Sequence, residues 1–152
     1  MILGPMAVLL QRGYADLLSD VASEHLALEL IEEAVAVLQA YFPGVYTIDG
    51  VWNWIKPEAN RHNPAEVSTT LLSMLQGTAS DINWHNGWLV KVGAKRGIAC
   101  PKHMRLIELV KEKERAIAKE LQRMEEGGSG GQESRRNGGK STVEGRIEGG
   151  GL

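Results

Sequence analysis

Four histidines and one cysteine are the side chains of this 152-residue chain that are best suited to metal binding. The histidines are His25, His62, His85 and His103, and Cys100 stands three residues before the last of them. A Cys-x-x-His pair supplies half of a zinc site, and no second closely spaced pair is present in the sequence. We therefore predict that the chain has no metal site, and that its histidines are either exposed or hydrogen-bonded within a core.

Two motifs that mark other enzyme classes are incomplete or out of context. Residues 139–141 (GKS) resemble the end of a phosphate-binding loop, but Ser134 stands where that loop has its first glycine. The one Gly-x-Ser-x-Gly match, GGSGG at residues 127–131, lies in the glycine-rich stretch with no strand predicted before it, so a hydrolase nucleophile elbow has no support. Asp81 and His85 lie four positions apart, yet no second catalytic cluster accompanies them that would favour an unrelated enzyme.

The segment SDINWHNGWLVKVGAKRG, residues 80–97, combines a turn signal with the spacing of a helix. Asn86-Gly87 normally marks a hairpin turn. Side chains three and four positions apart nevertheless share one helical face, namely Asp81, Trp84, His85, Trp88 and Val92. An adjoining stripe contains Ile82, Asn86, Leu89 and Gly93. Because glycine in a helix costs about 0.5–1 kcal/mol relative to alanine, we expect another backbone or a ligand to approach Gly87 closely. The simpler alternative is ordinary helix packing with two tryptophans at an interface.

Residues 68–114 resemble the carboxy-terminal domain of ketopantoate reductase, also called 2-dehydropantoate 2-reductase. That family shows Ser-(Ser/Thr)-(Met/Leu)-Leu, then Thr-Glu-Ile-Asp-(aromatic)-x-Asn-Gly, then Gly-(Ile/Val)-x-x-Pro and Leu-(Ile/Tyr)-x-Leu-Val-Lys. The matching pieces here are Ser68-Thr69, SDINWHNG at 80–87, GIACP at 97–101 and LIELVK at 106–111. Their order and their spacing agree together, and a weaker match extends back to about Gly4.

The resemblance implies an all-α, multi-helix bundle like the carboxy-terminal domain of 6-phosphogluconate dehydrogenase. The family activity is the NADPH-dependent reduction of the 2-oxo acid ketopantoate to pantoate, an oxidoreductase step of pantothenate biosynthesis. An amino-terminal Rossmann domain with a Gly-x-Gly-x-x-Gly sequence binds the cofactor, and the helical domain closes over it. The implied location is cytoplasmic.

Two positions of this chain take over family roles by that resemblance. A family serine contacts the substrate, and Thr69 occupies its place with a hydroxyl of the same kind, so that substrate binding is implied for Thr69. The family glutamate that reaches the cofactor falls on Asp81, which is one methylene shorter, so that cofactor binding is implied for Asp81. The family's acid is a lysine on the first helix, which belongs upstream of, or within, residues 1–10. That stretch has no lysine, and Gly4-Pro5 stands where the family often has Asn-Pro.

The sequence also departs from what the family reaction needs. No Gly-x-Gly-x-x-Gly sequence is present. We therefore expect a fragment or truncated paralogue that does not bind NADPH alone, has no catalytic lysine, and needs a Rossmann-domain partner. The alternative is a non-catalytic helical dimerisation or interaction module, which forms a homodimer through the face that otherwise meets the Rossmann domain.

The elements that must position these residues are predicted to be helices. Apolar residues at helical spacing predict helices from Ser19-Asp20 to Tyr41, over 65–76, over 81–96 with Ser80 as the cap, and from Pro101 to about Glu125. Gly77 and Gly97 are expected to end two of them. Residues 45–63 are interrupted by Asp-Gly and Lys-Pro, and are predicted to be irregular.

Composition limits the domain organisation and the partners. Ten of the 18 glycines fall in residues 127–152, where only three side chains are apolar. One helical domain over 1–126 and a disordered tail over 127–152 are therefore expected. The net charge of −2 gives no field that would attract nucleic acid, and no apolar run approaches the length of a membrane span. A single cysteine fits a reducing compartment, and residues 1–10 lack the basic start of a signal peptide.

Overall fold

The computed structural model describes residues 1–61 and 68–129. These ranges contain seven α-helices and one π-helical turn, and no strand, which confirms the all-α prediction. The helices are α1 (Leu3–Leu10), α2 (Tyr14–Leu17), α3 (Val21–Tyr41), α4 (Ile48–Arg61), α5 (Thr69–Leu75), the π-helical turn (Asn83–Gly87), α6 (Trp88–Ala94) and α7 (Pro101–Ser129). His62, the GKS sequence and most of the predicted tail lie outside the described residues. None of the helices within them is long and apolar enough to cross a membrane.

Helix α3 contributes seven buried residues, more than α1 or α4. It begins where the sequence predicts, because the Asp20 carboxylate accepts a hydrogen bond of 2.9 Å from the Ser23 backbone N–H, a standard helix cap. Its buried side chains pack against α1 and against the first turns of α7, where Leu106 and Val110 are almost fully buried. Helix α1 was not expected as a helix. Its run of apolar residues is buried too broadly to show an amphipathic period.

The prediction of irregular structure was wrong for residues 48–61, whereas residues 45–47 lie outside any helix and residues 62–63 lie outside the described part of the chain. Helix α4 runs from Ile48 to Arg61 through both Gly50 and Pro57. The Asp-Gly pair lies in the first turn of the helix, where the Thr47 hydroxyl accepts a hydrogen bond of 3.1 Å from the Gly50 N–H. Pro57 lies on the exposed face, where a carbonyl that loses its helical partner is accessible to water. Burial of Ile55 and Ala59 on the opposite face stabilises the helix against these local signals.

The two glycine stops are confirmed. Gly77 and Gly97 adopt φ angles of +78° and +69°, which favour glycine. Each glycine ends its helix in a Schellman motif, a pair of backbone hydrogen bonds that closes the last turn. At Gly77, for example, the Thr78 N–H donates to the Ser73 carbonyl at 2.9 Å. Ser80 does not cap the next helix as predicted. Its N–H and its hydroxyl donate instead to the Glu114 carboxylate of α7, at 3.0 and 3.2 Å.

Close approach of another part of the protein within the helix of residues 81–96 occurs at Gly93, and no other backbone of the described residues approaches Gly87. A Cβ added to Gly87 would meet only Asn83 of the same turn, at 3.7 Å. A Cβ at Gly93 would stand 2.9 Å from Val37 and 3.0 Å from the Ile98 carbonyl. The absence of a side chain at Gly93 therefore allows α6 to pack directly on α3.

A buried polar junction surrounds the amino terminus of α7. The Glu33 carboxylate of α3 accepts the N–H groups of Lys102 and His103, at 2.8 and 3.0 Å, and so replaces a local cap. The His103 Nε2 donates to the Leu30 carbonyl at 3.0 Å, and its Nδ1 accepts from the Asn86 amide at 2.9 Å. The same amide donates to the Met1 carbonyl at 2.9 Å. Four segments, including the π-helical turn, are thereby joined at one point.

We predict that Gly93→Ala destabilises the domain while Gly87→Ala does not. The added methyl group at Gly93 has no space, and overpacking of this kind costs about 1–3 kcal/mol. At Gly87 the methyl group has room, and removal of a helical glycine stabilises by up to about 1 kcal/mol. Urea unfolding followed by circular dichroism measures both variants against the native chain. Equal stabilities of the two variants would contradict the packing described for α6.

We also predict a pH dependence of stability that comes from His103. Burial lowers the pKa of His103 and outweighs the Leu30 carbonyl and the Glu33 charge, which raise it. As the pH falls below the ordinary value of about 6.5, the unfolded chain takes up this proton before the folded one does, so the free energy of unfolding falls. His103→Gln should remove this contribution to the decrease in the free energy of unfolding between about pH 8 and pH 5.5.

The matched control for that measurement is His25→Gln, which removes an exposed imidazole from α3. This variant should keep the native slope. If His103→Gln and the native chain lost stability in parallel over this pH range, His103 would not be held neutral by the fold.

Candidate functional site

A cleft of about 510 Å³ opens between α1, α3, α4, α5 and the π-helical turn. This volume lies within the range of small-molecule sites in proteins. Much of its wall is apolar and comes from Pro5, Leu38, Val51, Trp54 and Ile55. The polar side chains that face it are fewer: Tyr14, Glu58, Thr69, Thr70, Asp81, His85 and Asn86. An apolar cleft with a few convergent polar groups is the usual form of a substrate site.

Thr69 and Asp81, the two site residues assigned from the sequence, both line this cleft. Thr69 is the first residue of α5, and its neighbour Ser68 is fully buried and fixed by a 3.4 Å hydrogen bond from the Tyr14 hydroxyl. The stop at Gly77 reverses the chain after α5 and returns it to the same opening. The two residues also share a smaller adjoining pocket of about 130 Å³. Their convergence agrees with a common site.

Asp81 is paired with His85, as expected for residues four apart on one helical face. The His85 Nε2 lies 3.2 Å from an Asp81 carboxylate oxygen, and both side chains are more than half exposed. His85 also faces the cleft. Within the described part of the chain, no lysine or arginine lines this cleft. The groups there that can carry a positive charge are therefore the His85 imidazole and the Met1 amino group, which interacts with the Asp81 carboxylate.

The π-helical turn explains the Asn86-Gly87 signal that looked like a hairpin. Asn86 is fully buried, and its amide supports the junction with His103 and Met1. The predicted stripe of Ile82, Asn86, Leu89 and Gly93 is the buried face of this segment. Trp84 and Trp88 point the other way, with exposed fractions of 83% and 51%. Turns of this wide type are common at functional sites.

Sequence analysis did not identify Asn86 as a site residue, although it lines the cleft. Its Oδ1 is buried and meets no hydrogen-bond donor among the described residues. An unpaired buried oxygen costs about 1–3 kcal/mol, which suits a ligand that carries a donor. The only available signal was the helix-breaking dipeptide itself, because the partner His103 lies 17 residues further on.

The Cys100–His103 pair has a structural role. His103 is hydrogen-bonded on both ring nitrogens, as predicted for a core histidine. Cys100 is buried beside Gly93, and burial raises the pKa of its thiol, which disfavours the reactive thiolate. The described residues contain no group of three or more side chains that could hold a metal ion.

The cleft was also tested for its fit to a nicotinamide cofactor. The apolar walls and the unpaired Asn86 oxygen suit a flat ring that carries a carboxamide. The phosphates of such a dinucleotide need cationic side chains or a glycine-rich helix start. Apart from His85, the described lining offers no cationic side chain. The residues present therefore fit the nicotinamide end of the cofactor but not its phosphates.

Solved structures of two dehydrogenases are among those similar to this chain. One is a D-mandelate dehydrogenase in a ternary complex with NADH and anilino(oxo)acetate, with a TM-score of 0.68 and 18% sequence identity. The match covers 76% of this chain and 38% of that one, and at this identity it shows the fold alone. The other is a PanE/ApbA family ketopantoate reductase from Ralstonia eutropha JMP134, with a TM-score of 0.64 and 28% identity. That match covers 75% of this chain and 37% of the other.

The family comparison agrees with the motifs quoted from the sequence. No curated protein matches the chain. It spans less than two-fifths of the length of the two similar structures. The family model described as ketopantoate reductase PanE/ApbA C terminal matches residues 1–114, three-quarters of the chain. The chain therefore belongs to the ketopantoate reductase family, in which it corresponds to the carboxy-terminal helical domain.

Proposed function

We propose that this domain forms the substrate-side half of an NADPH-dependent 2-oxo acid reductase, with ketopantoate as the substrate and pantothenate biosynthesis as the setting. The observation that carries this proposal is the convergence of Thr69 and Asp81 on one cleft of about 510 Å³. That volume accommodates a small 2-oxo acid together with a nicotinamide ring. A cytoplasmic location fits the single free cysteine, which is reduced there.

The roles of the polar groups follow from their chemistry. The Thr69 hydroxyl both donates and accepts hydrogen bonds, so it can bind the carboxylate or the carbonyl oxygen of the substrate. Asp81 follows the turn that ends α5, and we assign it to the cofactor. Its carboxylate can accept hydrogen bonds from ribose or carboxamide groups. The fixed position of Ser68 beneath Thr69 limits the movement of the hydroxyl and favours a defined substrate pose.

The cofactor must be held largely by another domain. When it is bound, NADPH supplies the hydride, and this domain positions the substrate and excludes water from it. The scarcity of cationic groups in the cleft and the lack of Gly-x-Gly-x-x-Gly in the sequence support the inference that this chain is inactive alone. A Rossmann domain that packs over the cleft would complete the enzyme.

We predict that this chain alone binds NADPH with a Kd above about 1 mM, because the described lining of the cleft has no lysine or arginine to neutralise the cofactor phosphates. Isothermal titration with NADPH, in the presence and absence of ketopantoate, measures this affinity directly. The control is the same titration after addition of a separately produced Rossmann domain of the Ralstonia enzyme, where heat of binding is expected. Micromolar binding by this chain alone would show that its cleft holds the whole cofactor.

The exposed tryptophans favour a second candidate, a helical interaction module. Trp84 and Trp88 lie one turn apart with exposed fractions of 83% and 51%. Exposed aromatic pairs of this size often mark protein interfaces. A homodimer through this face would fit a domain without its Rossmann partner.

If the tryptophan face forms a homodimer, replacing both tryptophans should yield a monomer. We predict that Trp84→Ser with Trp88→Ser raises the dimer dissociation constant at least about tenfold, since such anchors contribute about 2 kcal/mol or more each. Analytical ultracentrifugation of the full chain measures it. Val21→Ser is the matched control, because Val21 is 84% exposed on a different helix. A native chain that is monomeric at high concentration would eliminate the dimer candidate.

A further inference from the structure

We propose that Asn86 selects the substrate of this site, because its Oδ1 accepts a hydrogen bond from a hydroxyl group carried by the 2-oxo acid. This inference deepens the proposed function and rests on it, since it names the part of ketopantoate that meets this atom. Ketopantoate carries a hydroxyl on C4, at the end of the molecule opposite its carboxylate. Asn86 lines the cleft, is fully buried, and has an Oδ1 that meets no donor among the described residues.

The buried junction determines which atom of Asn86 is left for a ligand. The His103 Nε2 lies 3.0 Å from the Leu30 carbonyl, and because a carbonyl only accepts, Nε2 carries the ring proton. Burial lowers the pKa of His103, so the ring is neutral and its Nδ1 accepts. The partner of Nδ1 at 2.9 Å is therefore the Asn86 amide nitrogen, which also donates to the Met1 carbonyl at 2.9 Å. Both N–H groups are then used, and the side chain offers a ligand an acceptor and no donor.

This restriction sets the direction of the substrate in the cleft. An ionised carboxylate and a keto oxygen have no proton to donate, so neither of these groups can satisfy Oδ1. The C4 hydroxyl is the one donor that ketopantoate has. Its hydroxyl end should therefore point toward Asn86 and its acid end toward Thr69, whose hydroxyl can donate to it. The two methyl groups on C3 suit the apolar wall formed by Val35, Leu38 and Ile55.

The carboxylates that line the cleft discriminate less between ligands with and without the hydroxyl. Asp81 is 59% exposed, lies 3.2 Å from the His85 imidazole, and interacts with the Met1 amino group. Glu58 is 39% exposed and accepts from an arginine of its own helix at 3.1 Å. Water can replace a missing hydroxyl at either carboxylate. Water does not reach the buried amide oxygen, so a ligand without the hydroxyl leaves that oxygen unpaired.

The ligand must reach an atom that is shielded from water in the structure. The cleft wall next to Asn86 includes Met1, whose carbonyl accepts from the Asn86 amide. Met1 is 43% exposed, and a methionine side chain is unbranched and flexible. It can therefore move aside when a ligand enters.

The test compares two acids on the full chain, ketopantoate and 3,3-dimethyl-2-oxobutanoate, which differ only in the C4 hydroxyl. Isothermal titration, or an NMR titration where binding is weak, measures the dissociation constant of each. We expect the native chain to bind ketopantoate at least about tenfold more tightly, because the other acid leaves a buried acceptor unpaired. In carbon NMR, the side-chain carbonyl resonance of Asn86 should shift with ketopantoate and stay near its free position with the other acid. This second readout uses the native chain, so it does not depend on the folding of a variant.

Two alanine variants separate selection by Asn86 from a general loss of structure. Asn86→Ala should bind the two acids with similar affinity, whereas a structural effect alone would weaken both in proportion and keep the preference. Circular dichroism shows whether this variant is folded. The matched control is Asn83→Ala, which changes an exposed asparagine of the same π-helical turn outside the cleft and should keep the preference of the native chain.

The outcomes distinguish this inference from the proposed function. Equal affinities of the native chain for the two acids would overturn the role of Asn86 and assign its oxygen to another donor, such as a carboxamide. The proposed function would stand in that case if Thr69→Ala weakened the binding of both acids. A preference for ketopantoate that persists in folded Asn86→Ala, or an unshifted carbonyl resonance in the ketopantoate complex, would also overturn it. Absence of binding of either acid overturns both proposals.

Discussion

The arrangement of this domain depends on the polar junction at the amino terminus of α7. Glu33 of α3 binds the first free N–H groups of α7 across the bundle. His103 in the same turn joins the Leu30 carbonyl to the Asn86 amide. His103 and Asn86 are fully shielded from water, whereas Glu33 is half-buried and its hydrogen bond with the Lys102 N–H is exposed. Loss of one partner would leave another polar group buried without a hydrogen bond, which costs about 1–3 kcal/mol.

The junction also determines how the cleft is built. By holding Asn86 inside the protein, it fixes the rotation of the π-helical turn about its axis. The neighbouring side chains then have no freedom of direction: Asp81 and His85 face the cleft, whereas Trp84 and Trp88 face outward. A structural contact in the core thus sets the direction of the side chains on this turn. The orientation of the Asp81–His85 pair and that of the tryptophans are consequences of one constraint.

The cleft is specialised in a way that fits a domain from a two-domain enzyme. It offers apolar walls, a hydroxyl, a carboxylate and an imidazole, which together suit a small 2-oxo acid and the ring that reduces it. It offers little that would neutralise phosphate groups. This division agrees with a chain that spans under two-fifths of its structural relatives. It explains why the family assignment and the absence of a nucleotide-binding motif are compatible.

The sequence by itself determined the features that depend on neighbours within a few residues. These include the all-α class, the start at Asp20, the stops at Gly77 and Gly97, and the motifs that identify the family, with Thr69 and Asp81 among them. Caps, glycine stops and helical periodicity are local, because the groups involved meet within one or two turns. The family motifs are likewise read from short spacings.

Only the tertiary structure decided the features that depend on residues distant in the sequence. The burial of Ile55 and Ala59 overrides the glycine and proline signals of α4. Contact with Val37 requires the glycine at Gly93. His103 finds its acceptor at Leu30, 73 positions earlier. Local propensities amount to about 1 kcal/mol or less per residue, and buried packing and buried hydrogen bonds outweigh them. No pattern in the sequence states which distant groups will supply those contacts.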